Sequence, residues 1–145
     1  MTDVEAARWL GEKFIQLDDA CWCAPQEVGW YAAAAKALQA ALRHGLIAEA
    51  DFAGTDVALL NRVRASDLPE IQRWLTLLKP EVDFVRDKDA PDLIALPKVR
   101  AVDPGVLVRG RVIPLSQLDS RFANYRESYI TNKQGEWGLR ILAYD

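Results

Sequence analysis

Residues 17–31 read LDDACWCAPQEVGWY and hold both cysteines of the chain and two of its five tryptophans. Two thiols two positions apart, with Asp18 and Asp19 just upstream, are residue types that ligate soft metals or exchange disulfides. The spacing is C-x-C rather than the C-x2-C of zinc knuckles, and there is no second cysteine pair. A tetrahedral zinc site needs four ligands. The other donors nearby in sequence are Asp18, Asp19 and His44, the single histidine. His44 stands at the far end of the next expected helix, roughly 30 Å away at 1.5 Å per residue. A Cys21–Cys23 disulfide would close a strained, very short ring. The expectation is therefore no metal and no cofactor here. The stretch reads as a packed junction between two helices, with small, partly buried cysteines and with Trp22 and Trp30 around the Pro25 turn.

Other residues invite chemical readings of their own. Asp87, Asp89 and Asp92 in DKDAPD resemble the start of a calcium loop, but Asp92 stands where glycine is needed and Lys98 where glutamate is needed. A solvated acidic linker is the expected role. His44 as a general base would need a partner and a pocket, whereas the end of a helix accounts for it through the helix dipole. The basic residues of the last third carry more weight. Lys98 and Arg100 alternate on one face of an expected strand, Arg109 and Arg111 flank an expected hairpin tip, and Arg126 lies on the helix that follows. If these faces converge, they form a site for a nucleotide or another phosphorylated ligand held by bidentate hydrogen bonds.

The elements that must position these residues follow from periodicity. Thr2 and Glu5 form a capping-box pattern, and Ala6, Trp9, Leu10, Lys13, Phe14 and Leu17 recur at helical spacing behind it. A second helix starts near Pro25 with Glu27 in its first turn. Its alanines, Leu38, Ala41 and Leu42 give a narrow apolar face, and Gly45 with Leu46 spells a Schellman cap. Thr55 or Gly54 opens a third helix with Val57, Leu60 and Val63 on one side. Asp67 and Glu70 suggest the cap of a fourth, carrying Ile71, Trp74, Leu75 and Leu78 up to Pro80. The period then changes. VDFV reads as a short strand, RDKDAPDLIALP as a charged linker, KVRAV as a strand and DPG as a turn. VLV-RG-RVI reads as a hairpin, Asp119 or Ser116 as the cap of a helix with Phe122, Tyr125, Arg126 and Tyr129, and EWGLRILAY as a closing strand with Trp137, Leu139 and Ile141 on one face. The five tryptophans are expected mostly in the core.

The fold class expected is α+β. An antiparallel helical region (1–80) leads through a charged linker or edge strand (81–97) into a small α+β region (98–145) with an antiparallel sheet and one helix, the whole forming one compact unit. Half of the 145 residues are hydrophobic, enough for a real core. Residues 1–96 carry 10 Lys/Arg against 16 Asp/Glu, net −6, while residues 97–145 carry 8 against 5, net +3. The mildly acidic total argues against general nucleic-acid binding. No apolar run reaches the roughly 18 residues of a membrane span, and the acidic N-terminus is unlike a signal peptide. A cytoplasmic protein with reduced thiols is expected.

Two stretches carry a resemblance to a known family. WYAAAAKALQAALRHGLIAEADFAGTDVALLNRVRASDLPEIQRWLTLLKP (30–80) resembles the helical segment that follows the last metal ligand in HD-domain metal-dependent phosphohydrolases. KVRAVDPGVLVRGRVIPLSQLD (98–119) is similar to the small β-rich C-terminal region of the same proteins. The likeness spans about 110 residues and rests on pattern, not on an invariant motif. The HD site itself needs a histidine, a His-Asp pair and a further aspartate. Here the single histidine, His44, is followed by Gly45, so none of the family's metal ligands carries over. The resemblance implies a non-catalytic accessory or interaction module. Its partner would be an HD-type phosphohydrolase core, another subunit or a second copy of the chain, with a phosphorylated small molecule as the ligand in the alternative reading.

Overall fold

The computed structural model describes residues 3–143. In chain order the elements are helix α1 (Val4–Leu17), a π-helical turn (Asp18–Trp22), α2 (Pro25–Arg43), a 3-10 turn (Glu49–Ala53), α3 (Asp56–Arg64) and α4 (Pro69–Leu75) with a 3-10 extension (Thr76–Leu78). Strands β1 (Val82–Arg86) and β2 (Leu93–Ala95), the hairpin β3 (Gly105–Val108) and β4 (Arg111–Pro114), α5 (Leu115–Leu118), α6 (Ser120–Lys133) and β5 (Trp137–Ala143) follow. The fold is α+β. The change of period near residue 80 is real for the elements: helices before it, mostly strands after it. Contacts group the chain differently, into two units interleaved in sequence. The first takes the chain up to Glu27 and then Leu96–Trp137, and the second comprises Val28–Ala95 and the strand residues from Gly138.

In the first unit α1 is capped by Asp3, whose side chain accepts from the amides of Glu5 (2.7 Å) and Ala6 (3.3 Å). The expected Thr2 cap lies outside the described residues. The buried face of α1 is Ala7, Gly11 and Ile15, not the Ala6–Leu10–Phe14–Leu17 stripe the pattern suggests. Small side chains decide this. The ring of Phe122 approaches Gly11 so closely that a Cβ there would fall 2.5 Å from it, and no larger residue admits α6 at that distance. Ala7, Ile15, Val106, Leu115, Phe122 and Tyr129 form the core of the unit. Trp137 is buried as expected, its indole N–H donating to the Lys133 carbonyl. Trp9 is 63% exposed, an exception to the core role expected for most of the tryptophans, and Trp22 at the π-turn is 36% exposed.

The hairpin forms as expected, pairing Gly105 with Pro114 through Val108 with Arg111. Arg109 (φ 49°) and Gly110 (φ 79°) both take left-handed conformations, which a two-residue turn of the primed type requires. Of the two proposed caps, Asp119 caps α6, its carboxylate accepting from the Phe122 amide (3.1 Å). Ser116 instead lies in α5, where Asp103 accepts from both its amide and its hydroxyl. KVRAV is not a strand: residues 98–104 run as an irregular strap without ladder pairing, in which the Arg100 amide donates to Asp18 and the Lys98 and Ala101 carbonyls accept from arginine side chains.

In the second unit α2 ends in the expected Schellman cap. Gly45 sits at φ 68°, with Leu46 N–H donating to Ala41 O (2.9 Å) and Gly45 N–H to Leu42 O (3.0 Å). Ala37, Ala40 and Ala41 pack with Ile47, Leu59, Val63 and Ile71. Of the two expected openings, Thr55 and not Gly54 caps α3, its hydroxyl oxygen accepting from the Ala58 amide. The face of α3 is corrected to Leu59 and Val63, with Val57 exposed, since an i, i+4 pair meets the alanine face of α2 best. Asp67 and Glu70 do not cap α4. Leu68 precedes Pro69 at the first helical position, and Glu70 pairs with Arg43 (2.5 Å) and His44 (3.2 Å). His44 thus closes α2 and also ties α4 to it, which draws the Glu70 carboxyl below its usual range. The three-stranded sheet runs β1-β5-β2, with Val82 opposite Ala143 and Arg86 opposite Leu139. Part of the expected linker is therefore strand β2. Asp87 closes the turn before it, accepting from the amides of Asp89 and Ala90 and pairing with Arg140.

Candidate functional site

The LDDACWC stretch forms the polar centre of the first unit. After Leu17 the helix widens by one residue: Cys23 N–H donates to Asp18 O (2.6 Å), an i to i+5 bond. π-turns of this kind re-aim side chains. Here the turn separates the two aspartates. Asp19 stays outside and pairs with Lys133, while the Asp18 side chain is fully buried.

A buried carboxylate must be matched by donors. Asp18 Oδ2 accepts from the Arg100 amide (2.8 Å) and from the Tyr129 hydroxyl (2.9 Å). Among the described residues Asp18 Oδ1 has no hydrogen-bond donor, and Arg100 Nη1 lies 3.6 Å from it. The Arg100 guanidinium lies over the ring of Trp22, which is itself tilted against Phe14, and its Nη1 donates to the Lys98 carbonyl (3.1 Å). Lys133 lies over the rings of Tyr129 and Trp137. Burial, reinforced by the bond to Asp18, pushes the Tyr129 phenol far above its ordinary range. Burial and the Asp18 charge likewise push the Cys23 thiol up. Neither Tyr129 nor Cys23 is therefore ionised near neutral pH. Asp18 is committed to two donors. These residues hold the π-turn, the strap and α6 together.

The expected basic cluster is only partly assembled. Arg100 and Arg126 both serve the strap: Arg126 Nε donates to the Ala101 carbonyl (3.1 Å), and Arg100 is bound as described. Lys98 is exposed beside them. Arg109 and Arg111 are exposed at the hairpin turn, and their side chains make no ion pair among the described residues. Cys21 is exposed, Cys23 is buried, and both are free thiols. Among the described residues no group of three His, Cys, Asp or Glu is placed to hold a metal ion. The role of Asp18 escaped the pattern reading together with the face of α1. Ala7, Gly11, Ile15 and Asp18 follow one another at spacings of four, four and three, which puts Asp18 on the buried stripe once the small residues are taken as the core face.

Apolar side chains are left on the outer side of the same unit. Trp9, Leu10 and Leu17 of α1, with Trp22 of the π-turn, are exposed to between 36% and 63%. No helix among the described residues is long and apolar enough to cross a membrane.

Comparison with known proteins adds one relative. The chain is 30% identical over 140 residues to the uncharacterized protein YdhJ of Bacillus subtilis (strain 168), an alignment that covers 96% of this chain and 43% of that protein. The chain thus spans less than half the length of that relative. No family model and no solved structure matches it.

Proposed function

We infer that this chain is a non-catalytic accessory or interaction module, related to the C-terminal part of HD-type phosphohydrolases, that docks such a core or another subunit. The observation that carries this reading is the outer side of α1. Its inner face is already filled by Phe122 and its neighbours, yet Trp9, Leu10 and Leu17 remain uncovered beside Trp22. Exposed apolar patches of this kind mark interaction surfaces, and tryptophan is enriched among the residues that dominate binding energy in protein interfaces. The length of the Bacillus relative supports the same reading, because more than half of it has no counterpart in this chain. A segment homologous to this one therefore occurs joined to further protein. Mixing the chain with an HD-type phosphohydrolase core from the same organism should give a stable complex on gel filtration. No association at about 50 µM, where interfaces of even modest affinity are occupied, would overturn it.

The second reading is a regulatory domain that takes a nucleotide or other phosphorylated ligand on Lys98, Arg100, Arg109, Arg111 and Arg126. It draws support from Arg109 and Arg111, whose side chains make no ion pair among the described residues. It is weakened by the engagement of Arg100 and Arg126 with the strap. Thermal stabilisation by nucleotides that disappears in Arg100→Ala, Arg111→Ala would favour it.

A further inference from the structure

In the second unit α3, α4 and the 3-10 extension of α4 line a cavity of about 280 Å3, with Arg64, Gln72, Leu75, Thr76, Leu78 and Lys79 in its wall. Its charge is one-sided: two cations and no carboxylate. Arg43, Arg62 and Arg140 of the same unit are each paired with an acid. Arg64 and Lys79 are exposed, and their side chains have no such partner among the described residues. The neutral polar groups are half engaged. Gln72 Nε2 donates to the carbonyls of Arg64 (3.3 Å) and Ser66 (2.6 Å), which leaves its Oε1 to accept. The Thr76 hydroxyl donates to Arg73 O (2.7 Å) and keeps its lone pairs. Leu75 and Leu78 are half-buried and form an apolar wall.

We propose that this cavity binds a small phosphorylated metabolite. Its phosphate lies between Arg64 and Lys79, its hydroxyls donate to Gln72 Oε1 and Thr76 Oγ1, and its carbon skeleton lies on Leu75 and Leu78. Charge selects the anion: a phosphomonoester carries about −1.5 to −2 at neutral pH and so answers two cations, whereas a monocarboxylate leaves one unanswered. Arginine contributes a planar fork and lysine a point charge, a pairing suited to phosphate oxygens. The volume lies at the lower edge of ordinary ligand sites, which span about 300–1,000 Å3. It accommodates a phosphate with a body of a few carbons, such as a phosphorylated polyol. The site shares no residue with the strap or the hairpin and does not depend on the docking role inferred above.

The test is thermal unfolding of the whole chain at pH 7.5 with inorganic phosphate or glycerol 3-phosphate, against chloride and acetate at equal ionic strength. For a dissociation constant near 1 mM, 10 mM ligand shifts the folding equilibrium about 11-fold and raises Tm by about 3 °C. The rise should vanish in the Arg64→Gln, Lys79→Gln double variant and persist in Arg109→Gln, Arg111→Gln. Both pairs are exposed, so unfolding in chloride checks that each variant folds. Phosphorus NMR line widths of the added ligand report binding independently of stability. The proposal is overturned by no shift in the native chain, by a shift that survives Arg64→Gln, Lys79→Gln, by an equal shift in acetate, or by unchanged line widths.

Discussion

Asp18 draws its two donors from residues 82 and 111 positions away, the Arg100 amide and the Tyr129 hydroxyl. A carboxylate buried this way is costly to leave half-matched. Removing one buried hydrogen-bond partner costs about 1–3 kcal/mol. Tyr129→Phe should therefore lower unfolding stability by that amount in urea titrations without changing the helical circular dichroism of the folded state. The two cysteines should also differ. Cys21 is exposed, whereas Cys23 is buried with its thiol pushed up. A thiol reagent at pH 8 should therefore modify one thiol quickly and the second only after denaturant is added. Asp119 gives the pH dependence. Arg8, donating to it, and the Phe122 amide hold its carboxyl below the usual range. A carboxyl depressed in the folded state contributes stability above its unfolded value, about 3.9, and that contribution disappears as pH falls through the lowered folded value. Asp119→Asn should flatten stability measured between pH 6 and 2, chiefly below pH 4.

At the scale of elements, what was legible was local chemistry. The Schellman cap at Gly45, the caps at Thr55 and Asp119, proline at the start of α2 and the hairpin at Arg109–Gly110 depend on neighbours in sequence, and each forms as read. The faces of α1 and α3 were not legible in the same way. Which side of a helix is buried depends on what packs against it, and in α1 the largest side chains point outward so that Phe122 reaches Gly11. A similar close approach governs α2. A Cβ on Gly29 would lie 2.2 Å from the Phe84 ring of β1, so Gly29→Ala must displace that ring. Overpacking of this kind costs about 1–3 kcal/mol, despite the better helix propensity of alanine, and should appear as a lowered Tm in calorimetry. The strand expected over KVRAV failed for a related reason. The Arg100 amide donates to a carboxylate 82 positions away, and no pattern within the strap signals that.

At the scale of the whole molecule, the interleaving of the two units rests on long-range contacts that periodicity does not carry. The candidate site was legible as an inventory. The acidic pair, the cysteines and the basic residues are visible in the sequence, but the bond from Asp18 to the strap and the engagement of Arg100 and Arg126 there depend on distant partners. The proposed docking role rests on the exposed apolar side chains on the outer side of α1. Its contribution is measured most directly by sedimentation velocity of the chain titrated with an HD-type phosphohydrolase core, with and without Trp9→Glu. The expected result is a complex for the native chain, weakened at least tenfold by Trp9→Glu, the loss of about 1.4 kcal/mol or more that marks a buried interface tryptophan. Equal sedimentation of the native chain and the variant, or no complex with either, would contradict it.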